Sequence, residues 1–207
     1  MFTKAAIVSA IAGLAVATLI HPTPVHNPNI FAVIINHSGS PIQGLGVNAK
    51  DYNFNVNNGT GTYCLSGQID CSKDGKITVF ANNPSSQTLS MDAVVPGGQR
   101  AFVRKDGSLG FTIPQSGAIP EGAMTGPWQF TPQKEDGTVG QLKFETRGFN
   151  ACKTGEKGPS GLDVYQLYAL SIASEAQLEN ECIDVGFSKF FPQSLEAECP
   201  LIKEIAY

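Results

Sequence analysis

Charged side chains make up only 15% of this chain of 207 residues, against roughly 25% in an ordinary soluble domain. The net charge is −4 and the arginines, Arg100, Arg104 and Arg147, are scattered, so there is no electrostatic footprint for nucleic acid. Histidine is scarcer still, and two of the three, His21 and His26, precede the first strand signal. A Ser-His-Asp or Cys-His device needs an imidazole beside its nucleophile. Only His37, next to Ser38, remains to supply one. Neither a Gly-x-Ser-x-Gly elbow nor a His-Glu-x-x-His helix accompanies it, and His37 reads as a surface or structural residue. Cysteines spaced as Cys-x₂₋₄-Cys are missing, which argues against a zinc site. No glycine-rich run opens a helix as a phosphate loop does, and no long stretch keeps helical periodicity. The expectation is therefore a protein with no catalytic residue, no metal and no cofactor.

The chain begins with Lys4 and an uncharged run from Ala5 to Ile20. That run is shorter than the roughly 20 residues that span a bilayer. With small residues near Ala15 to Thr18 it matches a secretory signal peptide over 1–20. Pro22, Pro24 and Pro28 make 21–29 an extended leader. No membrane span is expected after signal cleavage. A lipid anchor is not expected either, since no apolar tail follows a small-residue site at the C-terminus.

Secretion gives meaning to two other patterns. Asn36-His37-Ser38 and Asn58-Gly59-Thr60 are N-glycosylation acceptors in a eukaryote. Asn58, in a polar Asn/Gly-rich loop, is the favoured one; Asn36 follows an apolar strand that could shield it. In an oxidising compartment the five cysteines read as disulfides. Cys152 with Cys182 would close the C-terminal half of a sheet, Cys64 with Cys71 a small loop, and Cys199 is left over.

Strand signals fill the rest. Phe31 to Ile35 is a continuous apolar run, as for a strand buried on both sides. From Asn36 to Gly67 irregular edge strands are expected, anchored by Val47, Tyr52, Phe54 and Val56. Asp-Gly turns at Asp74, Asp106 and Asp136 lie 32 and 30 residues apart, each followed by an alternating strand. The alternation puts Ile77 and Val79 on one face, then Leu89 with Met91, then Leu109, Phe111 and Ile113. Trp128 and Phe130 share a face, Leu142 and Phe144 point inward, and Lys143 and Glu145 outward. Leu162 to Ile172 is a strand of ambiguous register, and Cys182 to Phe187 is the closing strand. The prediction is an all-β chain with one antiparallel, jelly-roll-like β-sandwich over 30–187 and a tail over 188–207. The repeated turns leave a β-trefoil as the alternative.

Glycoside hydrolysis needs only two facing carboxylates, and Asp92, Glu145 and Asp163 lie on or beside predicted strands. Their simpler role is on solvated strand faces. Sugar binding would use exposed aromatics, with Trp128, Tyr63, Tyr165 and Tyr168 available; Trp128 is placed in the core.

With these residues placed, the chain resembles the PhiA-type fungal cell-wall proteins, named for phialide development. The resemblance rests on FAVIINHSGSPIQ at 31–43, on the DGK-I-V-F-A and DG-S-L-G-F strands, and on W-x-F, L-x-F and F-x-A-C within 128–152. It ends near Cys182 to Phe187. The tail from Ser188, with Cys199, lies beyond the family pattern, and the Cys64/Cys71 pair matches it only in part. The resemblance implies a secreted, wall-associated, glycosylated protein needed for asexual spore-bearing structures, with cell-wall polysaccharide or wall proteins as partners and no catalytic residues to transfer.

Overall fold

The computed structural model describes residues 27, 29–61, 77–93, 98–131, 140–174, 178 and 181–190. The signal and leader segments, the Asp74-Gly75 and Asp136-Gly137 turns, Tyr63, Cys64, Cys71, Cys199 and the tail beyond 190 lie outside the described residues. Among the described residues no helix is long and apolar enough to cross a membrane.

Among the described residues, twelve strands form two facing antiparallel layers. The first layer begins at one edge with β8 (Trp128–Thr131), followed by β9 (Gln141–Phe144) and β12 (Cys182–Phe190). It continues with β1 (Ile30–Asn36), β4 (Val79–Asn83), β5 (Thr88–Met91) and β6 (Gln99–Val103). The second layer runs from β6 through β7 (Leu109–Phe111), β3 (Asn53–Val56), β11 (Asp163–Ala169) and β10 (Phe149–Lys157) to β12. β2 (Val47–Lys50) pairs with β3.

Two strands belong to both layers. Gln99 and Arg100 of β6 pair with β5, and Ala101 to Val103 pair with β7. Cys182 to Val185 of β12 pair with β10, and Gly186 to Phe190 pair with β1. The sandwich is thereby joined at both sides, which shields edges that would otherwise template association. Among the described residues the strand order carries no threefold repetition, and the layers are those of a sandwich, not a trefoil.

The core follows from alternation. Phe31, Phe54, Phe80, Phe111, Trp128, Phe144, Phe149 and Phe187 all point between the layers and belong to one cluster. Phe149 stacks on Phe187 with centroids 4.0 Å apart, and Trp128 meets Phe144 edge-on at 5.0 Å. The void left among them is only about 10 Å³, too small for more than a single water. Among the described residues, the space lined by Val33, Phe54, Trp128 and Phe187 is filled by side chains and leaves no room for a ligand there.

Several expectations change in register. The inward residue of β4 is Phe80; Val79 is half-buried and Ile77 precedes the strand. Ile113 is 53% exposed because β7 ends at Phe111, with Pro114 following. The expected irregular stretch holds a regular β2–β3 hairpin whose turn, Asp51-Tyr52, has φ of 51° and 60°. That is the two-residue turn whose twist suits a hairpin. Tyr52 is thus an exposed turn residue and not a core anchor. β12 continues to Phe190, past the expected domain end at 187.

The Asp106-Gly107 turn forms as expected, with Gly107 at φ 88° and its N–H donating to the Arg104 carbonyl at 2.8 Å. A Cβ on Gly107 would lie 2.7 Å from the backbone of Ala173. Gly107→Ala therefore combines a left-handed backbone penalty with overpacking and should destabilise by about 2–4 kcal/mol. Chemical denaturation checks this; an unchanged midpoint would remove the turn from the account.

Lys189 stands opposite Val33 on the inner face of β12, with Nζ 4.6 Å from the Phe31 ring centre and 4.1 Å from that of Phe130. Burial pushes its ammonium down to about 8 from an ordinary 10.5. Between those two values the unfolded chain binds more protons than the folded one, so this residue makes stability rise with pH through that window. Below pH 8 the penalty is present in full. Melting temperatures measured between pH 7.5 and 10 should show the rise, and Lys189→Met should flatten it.

Candidate functional site

The structure disperses the candidate carboxylates. Asp92 follows β5 in the first layer, Glu145 sits at the β9–β10 corner with φ 52°, and Asp163 opens β11 in the second. Asp163 is held by Lys157 and lies 3.6 Å from Lys153. The hydrogen bond from Lys157 is the main cause that lowers its pKa, with Lys153 adding to it. Trp128 and Tyr165 are buried at 2% and 3% exposure, leaving Tyr168 as the described candidate aromatic that reaches the surface. His37 Nδ1 contacts the Asp184 carbonyl.

Cys152 and Cys182 form a disulfide between residues directly opposite each other on β10 and β12. Asn36 is exposed and Asn58 half-buried, the reverse of the expected accessibility. The expectation failed because Asn36 lies on the outer face at the end of β1, beyond the apolar run.

What the register does bring together is a polar face. Directly opposed residues on antiparallel strands share a side of the sheet. One row on the outside of the second layer therefore runs Asn48, Asn55, Gln166, Cys152, Cys182 across β2, β3, β11, β10 and β12. The adjacent row runs Ser108, Tyr168, Asn150, Asp184. Leu167 and Ala151, the residues between, point into the core. The first row is largely committed to structure: Gln166 Nε2 donates to the carbonyls of Phe54, Leu109 and Leu167 at 3.2–3.3 Å. In the second row Tyr168 is half-buried and Asp184 exposed, while Ser108 and Asn150 are buried at 6%. The Asn150 carboxamide lies against the Asp184 carboxylate.

Arg104 borders this row. Its guanidinium donates to Ser108 Oγ at 3.2 Å and to the Tyr52 carbonyl at 2.9 Å, and it lies 5.2 Å from the centre of the Phe102 ring. Gly110 makes room for it, because a Cβ there would meet Nη2 at 2.7 Å. Burial lowers the Arg104 pKa, while Asp106 and then Tyr168 act the other way. Burial raises that of Tyr168, helped by Asp106 and opposed by Arg104. Tyr168 thus keeps its phenolic proton at physiological pH and can donate as well as accept. Asp106 Oδ1 accepts from the Ser108 backbone and hydroxyl at 2.9 and 2.7 Å.

Tyr52, expected as an anchor, meets this face through its carbonyl while its ring lies 5.9 Å from that of Phe111, and sequence reading missed its place in a turn. The signal was the near-symmetric alternation Val47-Asn-Ala-Lys-Asp-Tyr-Asn-Phe-Asn-Val56 about Asp51-Tyr52, which marks a hairpin and exposes its central residues.

No solved structure matches the chain. An uncharacterised secreted protein of Arthroderma benhamiae is 32% identical over 110 residues, which cover 53% of this chain and 54% of that protein. The chain thus spans about half the length of that curated relative. The family model of PhiA-like secreted proteins matches residues 31–196. It begins in β1 and takes in the polar face and all of β12, continuing beyond Phe187, where the resemblance was expected to end. Over that span, this chain belongs to the PhiA-like secreted protein family.

Proposed function

We propose that this secreted protein is a non-enzymatic, glycosylated component of the fungal cell wall or surface, retained there by wall polysaccharide and serving asexual spore-bearing structures. The observation that carries the reading is the division of the molecule into a filled aromatic interior and a polar outer face. Among the described residues, the aromatic cluster around Trp128 and Phe187 leaves a void of only about 10 Å³. Within the row Ser108, Tyr168, Asn150, Asp184, the half-buried Tyr168 and the exposed Asp184 present groups that suit sugar hydroxyls, with the buried Ser108 and Asn150 holding them in place. Membership of a secreted family supports the extracellular setting, and the resemblance to phialide proteins supports the developmental one.

Fractionation of the producing organism tests this. The protein should partition with the insoluble wall, and removing the gene should impair conidium formation. Recovery only as free protein in the medium, with normal sporulation, would sink the reading. Replacing Asp92, Glu145 and Asp163 together should leave wall association unchanged, since no step of the proposed function passes through them. Purified protein should release no reducing sugar from chitin, β-glucan or pectin. Removing a single key catalytic interaction typically costs about 10²–10³ in rate. Hydrolysis that one of those substitutions abolished would therefore install an enzyme in place of the binder.

A further inference from the structure

The two glycosylation acceptors occupy opposite structural situations. Asn36 ends β1, where Phe31, Val33 and Ile35 take the inner face and leave Asn36 outward and exposed. Its partner across the ladder is Gly186, where an added Cβ would meet the Asn36 carbonyl oxygen at 3.4 Å and its Cβ at 3.8 Å. With no side chain there, the flank of the Asn36 carboxamide is open. Ser38, which completes the acceptor triplet, is also exposed.

Asn58 is half-buried, and its Oδ1 accepts from Lys50 Nζ at 3.2 Å. The hydroxyl of its triplet is committed as well. Thr60 Oγ1 lies 3.2 Å from Asn48 Nδ2 and 3.1 Å from Thr78 Oγ1. Thr78 is 3% exposed and accepts from the Ala49 backbone at 2.7 Å. The Asn58 triplet is therefore part of the packing that seals the outer side of the β2–β3 hairpin.

We propose that Asn36 is the glycosylated residue of the mature secreted protein and that Asn58 is unmodified. The donor is an oligosaccharide carried on a lipid pyrophosphate. Asn36 Nδ2 attacks the anomeric carbon, an N–C bond forms, and the C–O bond to pyrophosphate breaks. The amide loses one proton and the lipid pyrophosphate departs; nothing is oxidised or reduced. Transfer precedes folding, so both triplets meet the donor. Folding then discriminates: a sugar on Asn36 projects past Gly186 into solvent, whereas one on Asn58 Nδ2 starts from a half-buried side chain whose Oδ1 is held by Lys50, beside the packed Asn48–Thr60–Thr78 network. Chains carrying it fail to close that edge and do not leave the cell as native protein. The inference rests on secretion and is independent of wall binding.

The test is glycosidase release in ¹⁸O-labelled water, followed by peptide mapping of the wild-type secreted protein. Asn36 should convert to labelled aspartate in most molecules, and Asn58 should stay unlabelled. In parallel, Asn36→Gln should abolish the glycan-dependent mobility shift entirely, while Asn58→Gln leaves it in full. Label at Asn58 above that of a control without the enzyme, which corrects for spontaneous deamidation at Asn58-Gly59, or none at Asn36, overturns the proposal. Because the mapping reads the wild-type chain, misfolding of a variant cannot obscure the answer.

Discussion

Replacing Cys152 and Cys182 together by alanine should lower the unfolding free energy by about 3–4 kcal/mol, with the urea midpoint falling accordingly. The bond closes a loop with a sequence separation of 30, and in the chain-entropy account most of its effect lies in restricting the unfolded chain. It also ties β10 to β12 where β12 lies in the second layer, just before that strand crosses to pair with β1. A second signature should appear in the same experiment. The unfolded variant is less compact, so the slope of free energy against urea should increase. An unchanged midpoint and an unchanged slope would show that the cross-link is dispensable to the fold.

Phe149→Ala should cost about 3–5 kcal/mol, the range for removing a buried aromatic ring. Phe149 is fully buried, stacked on Phe187 at 4.0 Å and lying 6.2 Å from Trp128. Its backbone faces Ala169 on one side and Val185 on the other, so the cavity would open where β10, β11 and β12 meet. Collapse into that cavity is limited, because the rigid ladders on both sides hold the neighbouring rings in place. The chain has one tryptophan, and Trp128 fluorescence therefore reports directly on this cluster. A variant that unfolds at the wild-type urea concentration with unaltered emission would contradict the packing described.

Local patterns were legible where alternation had one phase. Trp128, Leu142 and Phe144 are buried as their spacing required. The Asp106-Gly107 turn and the Cys152–Cys182 bond were equally plain. For β4 the inward face was not legible, because Ile77-Thr78-Val79-Phe80 offers apolar residues in both phases. The larger Phe80 took the core, since burying its ring removes more apolar surface from water. Tyr165 and Tyr168 are three apart, so a strand must place them on opposite faces. Sequence could not say which tyrosine went in, and that choice decides whether the outer face has an aromatic. The polar row itself was beyond reach. Ser108, Tyr168, Asn150 and Asp184 come from four strands, and only register between distant segments aligns them. The sharing of β6 and β12 between layers has the same origin, because each strand changes partner part-way along its length.

The central claim is that the polar face holds wall polysaccharide without turning it over. Its most direct test is co-sedimentation of purified, disulfide-intact protein with insoluble wall polysaccharide, comparing wild type with a Tyr168→Ala, Asp184→Ala double variant of matched unfolding midpoint. The account predicts that wild type pellets with the wall and liberates no soluble sugar. The double variant should bind about tenfold more weakly or worse, the size expected when central interface side chains are removed. Equal pelleting by the two proteins, or release of soluble sugar by the wild type, would contradict it.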